Sequence, residues 1–243
     1  IRPRVAAPTL PAVEVVPGLF IHPRDTWGAD LPPRSTLVSE DVRFLLVHHS
    51  DSPNNSPVGP RETIRAVYEF HTGPEKGWAD VCYQFFVDPA GGIWEGRAGA
   101  LDGPVMADAT GGSQGFAQLV CLLGSFNTVL PTPAARASLV TLLAWLADRS
   151  ALDTSPGASA TFVSRGSQRW ARGTTVTTTT VTGHRAMSYT DCPGDAFWPY
   201  VRDDLQGDVH AERARLTAFA APPDGSGHSP ARRGPRRTIT PTP

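Results

Sequence analysis

The sequence predicts an α/β fold in which a mixed central β-sheet is flanked by α-helices in a single domain. Three observations point there. Apolar runs of strand length recur at residues 42–48, 81–87 and 118–123. Segments with helical spacing lie between and after them. The turn signal DPAGG at 88–92 folds one run back onto a neighbour, so the sheet is not wholly parallel.

Taken in order, residues 42–48 (VRFLLVH) read as a buried strand. Residues 61–72 (RETIRAVYEFHT) place Ile64, Val67, Tyr68 and His71 on one helix face. Residues 81–87 read as an aromatic-rich strand whose alternation sets Tyr83, Phe85 and Val87 on one face and Cys82 and Gln84 on the other. Ile93, Trp94 and Glu95 begin its hairpin partner, and residues 118–123 form another buried strand. Thr132 and Pro133 make an N-cap and first-turn pair opening a helix to about Ser150, with Leu139, Leu142, Leu143 and Leu146 inward. Residues 151–173 read as loop. The β-branched stretch 174–182 is expected to be extended throughout, and a last helix covers about residues 195–205.

The ends read as unpacked. Residues 1–23 carry Pro3, Pro8, Pro11, Pro17 and Pro23 and suit an extended arm. Residues 24–206 form the expected folded domain. From Gly207 to the end, residues 207–243 turn polar and read as a disordered tail or linker. The 22 Lys+Arg and 23 Asp+Glu give a net charge of −1, which excludes a nucleic-acid binder relying on broad phosphate neutralisation. No apolar run reaches the ~20 residues that span a bilayer, and the chain is expected to be a monomer. Three cysteines, Cys82, Cys121 and Cys192, are too few for a disulfide scaffold, and their odd number leaves one to explain.

His48 ends the first buried strand, His184 follows the Thr-rich stretch, and Cys192 lies eight residues further on. Two imidazoles and a thiolate suit Zn²⁺, and three protein ligands leave a fourth tetrahedral position open, as catalytic sites do. Spacing alone leaves other readings open: a His-His pair at a strand end also serves as core or rim, and Cys192 with His184 also reads as a nucleophile pair. Against that pair, Pro193 and Gly194 mark a turn rather than the helix N-terminus that activates a thiol.

Set in order, WGAD (27–30), FLLVHHS (44–50), His71 ending a helix, WADVCYQFFVDPAGGIWEGR (78–97), VCLLGSFN (120–127) and GHRAMSYTDCPGD (183–195) resemble the zinc-dependent N-acetylmuramoyl-L-alanine amidases of the amidase-2 and peptidoglycan recognition protein family. The Thr-rich lead-in resembles the actinobacterial, secreted branch. The resemblance spans about residues 24–206. It implies one zinc ion held by His48, His184 and Cys192, and a secreted or wall-associated enzyme whose signal peptide has been removed. The implied reaction is hydrolysis of the amide between N-acetylmuramic acid and L-Ala of the peptidoglycan stem peptide. Tyr83 matches the tyrosine that faces the water and the scissile carbonyl, and Thr190 matches a position that supports the developing oxyanion. His49 and Trp78 fall at the expected cleft rim, where each serves as substrate contact or as packing. Glu95 and Arg97 read as a structural turn and ion pair, and His71 as a core histidine. The alternative within the resemblance is a peptidoglycan-binding module without catalysis, whose members typically lack the cysteine.

Departures from the family pattern also carry expectations. Ala186 stands where a carboxylate usually follows the ligand histidine, which lowers the expected zinc affinity if that carboxylate supports the site. Ala109 replaces a substrate-side histidine, Cys82 a glycine, and Gln84 a His or Asn. These bear on substrate preference and turnover rather than on the metal. With Cys192 assigned, Cys82 and Cys121 either pair as a disulfide in an exported protein or stay as buried thiols.

Overall fold

The computed structural model describes residues 11–108 and 115–220. Pro3, Pro8, Ala109 and the chain beyond Ala220 lie outside the described residues. In chain order the elements are β1 (Val13–Val16), β2 (Leu19–Ile21), α1 (Asp25–Gly28), β3 (Phe44–His49), α2 (Pro60–Thr72), β4 (Phe85–Val87), β5 (Ile93–Glu95), β6 (Ala117–Leu122), α3 (Pro133–Arg149), β7 (Ser159–Val163), β8 (Thr175–Thr179), β9 (Val181–Gly183), α4 (Trp198–Asp203) and α5 (Leu205–Ala220).

A five-stranded sheet of order β5-β4-β6-β3-β9 forms the centre. β3, β4, β6 and β9 run parallel, and β5 closes one edge antiparallel to β4. This is the mixed sheet expected. Alternation along β3 separates the two faces. Leu45 and Val47 join Val120, Leu122, Phe85 and Val87 under Leu139, Leu142 and Leu146 of α3, with Val201 of α4 and Val209 of α5. Phe44 and Leu46 face the other way, toward Phe162 and Val176 of the β7–β8 hairpin. Further along that second face, Phe86, Trp94 and Cys121 pack against Ile64 and Tyr68 of α2 and Trp27. Thr132 caps α3 as predicted, its hydroxyl accepting from Ala135 N at 3.0 Å.

Six expectations need correction. Residues 11–23 are not an unpacked arm, because β1 and β2 form a hairpin that buries Leu19 and Ile21 in the core. His22 then stacks on Trp94 at 4.1 Å. The strand expected over 81–87 starts only at Phe85, because the Cys82 N–H leaves the ladder for His71 Nδ1 at 3.0 Å. Tyr83 therefore does not share the face of Phe85 and Val87. It packs edge-on to Phe86, at 5.5 Å, on the α2 side. Residues 151–173 are not all loop: β7 pairs antiparallel with β8, and Thr180 interrupts the Thr-rich stretch before β9. Residues 207–220 are not tail. After a break at Asp204, α5 runs to Ala220, with Leu205 and Val209 fully buried and Gln206 Nε2 bonded to Ser155 O and Ala158 O.

No disulfide joins Cys82 and Cys121, and both are buried as thiols. Cys121 stands beside Phe86 and His48 in the ladder, whereas Cys82 lies outside it.

Candidate metal centre

Parallel pairing assembles the site. β3 and β9 align Leu45 with Val181, Leu46 with Thr182 and Val47 with Gly183, so the next residues, His48 and His184, emerge side by side at the strands' carboxyl ends. Their rings lie 4.4 Å apart. Cys192 arrives from the loop that follows, and the ligand atoms of His48, His184 and Cys192 all lie within 4.8 Å of one another. Of the sequence-predicted residues, these three come together.

The Cys192 loop is held from several sides. The thiol accepts the His49 N–H at 3.4 Å, and Thr190 Oγ1 accepts the Cys192 N–H at 3.2 Å. Arg185 donates to Asp191 O and pairs with Asp195 at 2.7 Å. Asn127 bridges the loop to β6, donating to Asp191 at 3.2 Å and accepting from Asp195 N at 3.2 Å. Asn127 lies within the VCLLGSFN stretch but had no role from the sequence. Gly194 is required by both conformation and contact: its φ is +111°, and a Cβ there would sit 2.3 Å from the Phe126 carbonyl. Gly194→Ala is expected to lose at least about 2 kcal/mol of stability in urea unfolding, together with metal affinity.

Burial sets the protonation states. It holds the His48 imidazole well below its ordinary pKa, with the neighbouring histidines adding to the effect, and it lowers His184 to about 4. Both rings are therefore neutral at pH 7 and present lone pairs. The Cys192 thiol is pushed up to about 12 by desolvation, partly offset by the His49 N–H. A cation is the natural partner for a thiolate in this position. One separation matches a tetrahedral zinc site: Cys192 Sγ lies 3.6 Å from His48 Nδ1, and tetrahedral Zn–S and Zn–N bonds separate sulfur from nitrogen by about 3.6 Å. His48 Nε2 is buried without a hydrogen-bond partner.

The other predicted residues divide. Tyr83 borders the centre, its ring 5.1 Å from His48. Desolvation and the hydrogen-bonded Cys121 thiol raise its pKa well above the usual phenol value, so it is a neutral O–H donor. Thr190 is half-buried at the loop, as described. His49 is only 5 % exposed, and its Nδ1 accepts from Phe126 N at 3.3 Å. By strand alternation its ring faces away from His48. The open stacking face expected of it is therefore absent, and its contact with the site is the backbone N–H to Cys192. Trp78 stays half-buried, 4.7 Å from His71.

His71 is the core histidine expected, 6 % exposed at the end of α2. Desolvation is the main cause that lowers it to about 4, with nearby Lys76 adding to the shift. A histidine whose folded pKa is depressed gives stability that is complete above its unfolded value near 6.5 and lost as pH falls through about 4. Its share between pH 7 and pH 5 is about 2 kcal/mol. His71→Asn, which keeps an acceptor for Cys82 N, is expected to shrink the pH 7 to pH 5 stability gap by that amount in urea melts.

The profile of Amidase_2, described as N-acetylmuramoyl-L-alanine amidase, matches residues 38–195. A human protein named N-acetylmuramoyl-L-alanine amidase is 31% identical over 187 residues, covering 75% of this chain and 28% of that protein. Its pig counterpart is 29% identical, with 27% of its length covered, so the chain spans about a quarter of these relatives. Mouse peptidoglycan recognition protein 1 is 30% identical over 129 residues, 51% of this chain and 66% of that protein. Among solved structures, bumblebee PGRP-SA superposes with a TM-score of 0.57 at 17% identity, covering 76% of this chain and 95% of that one. Drosophila PGRP-SD gives 0.56 at 17%, covering 75% and 93%. At such identities the structural likeness is one of fold. The matched profile covers more than half of the chain, and the chain belongs to the N-acetylmuramoyl-L-alanine amidase (Amidase_2) family.

Proposed function

We propose that this protein is a zinc-dependent peptidoglycan amidase that hydrolyses the amide between N-acetylmuramic acid and L-Ala of the stem peptide. The observation that supports it most is the convergence of His48, His184 and Cys192, two neutral imidazoles and a buried thiol, at one end of the parallel strands. His48, His184 and Cys192 would hold the ion. When bound, zinc supplies Lewis acidity, which makes water nucleophilic near neutral pH and polarises a carbonyl.

This chain's own residues supply the rest. The Tyr83 hydroxyl stays protonated and would donate toward the oxyanion that develops on the scissile carbonyl, while the leaving amine takes its proton from Tyr83, His49 or solvent. Thr190 uses its lone pair on the Cys192 N–H, which leaves its hydroxyl proton for the same oxyanion. Trp78, half-buried beside His71, offers an aromatic face to sugar or peptide. His49 orients Cys192 through its backbone N–H. A wall substrate places the protein outside the membrane, and among the described residues no helix is long and apolar enough to cross one.

The test is a chelator experiment on a defined muropeptide. Cleavage should stop on chelation and return with stoichiometric zinc. Binding that persists with no cleavage in either state would favour a recognition module, the role named for several relatives.

A further inference from the structure

We propose that the loop joining β7 to β8 is a positioning element for His184, taking the part that a carboxylate after the histidine would otherwise play. This rests on the zinc reading above. His184 opens a single 3₁₀ turn, His184–Ala186, whose own hydrogen bonds use only the His184 carbonyl, accepting from Met187 N at 2.9 Å and Ser188 N at 3.0 Å. The next three carbonyls have no partner within the turn, as at any helix end. Three side chains of the β7–β8 loop take them one after another. Arg169 Nη1 donates to Arg185 O at 2.5 Å, Trp170 Nε1 to Ala186 O at 3.3 Å, and Ser167 Oγ to Met187 O at 3.3 Å.

The loop is itself braced for this. Ser167 Oγ accepts from the backbone N–H groups of Arg169 and Trp170, and Ser167 N donates to Trp170 O at 2.7 Å. The Trp170 ring lies with Ala186 against a core that includes Met187 and Phe162 of β7. Ala186, too short to reach back to the metal centre, thus contributes its carbonyl to the loop instead. Clamping 185–187 from outside leaves the His184 ring aimed inward at His48, 4.4 Å away.

The test compares three full-length proteins by zinc competition against a chelator and by the absorption spectrum of the Co²⁺ form. Removing the three donors together (Ser167→Ala, Arg169→Ala, Trp170→Phe) should weaken zinc about tenfold. The same variant should shift the cobalt ligand-field bands while leaving the sulfur-to-cobalt charge-transfer band of Cys192 in place. Trp170→Phe alone, which keeps an aromatic ring but not the indole N–H, should move both readouts the same way by less. Thr177→Val removes the Thr161–Thr177 hydroxyl pair, 2.9 Å, from the same hairpin away from the turn, and should leave both unchanged. Wild-type affinity and spectrum in the triple variant, or an equal loss in Thr177→Val, would overturn the inference. A wild-type chain that binds no zinc would overturn the zinc reading itself, before any variant is compared.

Discussion

Cys192→Ser is expected to lose bound zinc and muropeptide cleavage together, the latter by about 10³-fold or more. The thiol is the one anionic ligand the site can offer once deprotonated, since both imidazoles are neutral. A serine hydroxyl does not ionise under the same conditions, which removes the charge that compensates the cation. Loss of the metal removes several kcal/mol of transition-state stabilisation, and 4 kcal/mol corresponds to about 10³ in rate. The fold should survive, because a serine oxygen can still accept the His49 N–H that Cys192 accepts now. Metal analysis of the purified variant, with circular dichroism as a check on folding, reads the outcome. A variant that retains one zinc and wild-type turnover would remove Cys192 from the site.

Tyr83→Phe separates metal binding from chemistry. The ring contacts with His48, His71 and Phe86 are retained, so zinc content and KM should stay at wild-type values. Only the hydroxyl is lost. Removal of one preorganised donor to an oxyanion lowers kcat by about 10²–10³-fold. The raised phenol pKa gives the sign of the pH dependence: the hydroxyl is protonated throughout the neutral range, so wild-type activity should not fall between pH 7 and 9 through ionisation of Tyr83. A kcat within threefold of wild type would leave the tyrosine as packing.

The His48, His184 and Cys192 cluster was legible through the ordered motifs that carry the family resemblance, not through spacing, which left other readings open; the structure brings the three within 4.8 Å. In Phe44–His49 every residue is buried, and alternation alone places His48 opposite His49. The face of Tyr83 was not legible, since it depends on where the Cys82 N–H bonds, and that partner, His71, is 11 residues away. β7 carries one fully buried side chain, Phe162, and β8 one, Val176, so the hairpin gave only half of an alternating signal. α5 is anchored mostly by polar groups, with Arg213 on Leu152 O and Glu212 on Thr141. Its charged sequence reads as solvated tail until α3 and residues 152–158 are placed beside it. Asn127 holds the Cys192 loop through hydrogen bonds to Asp191 and Asp195, 64 and 68 residues away, which no local pattern encodes, whereas Arg185 acts on partners within the same loop.

The most direct measurement is mass analysis of the products from a defined muropeptide, run with zinc stoichiometry on the same preparation. The expected result is about one zinc per chain and two products: a glycan fragment with a free lactyl carboxylate and an intact stem peptide beginning at L-Ala. Recovery of the uncut muropeptide bound to zinc-loaded protein, or cleavage at any other bond, would contradict it.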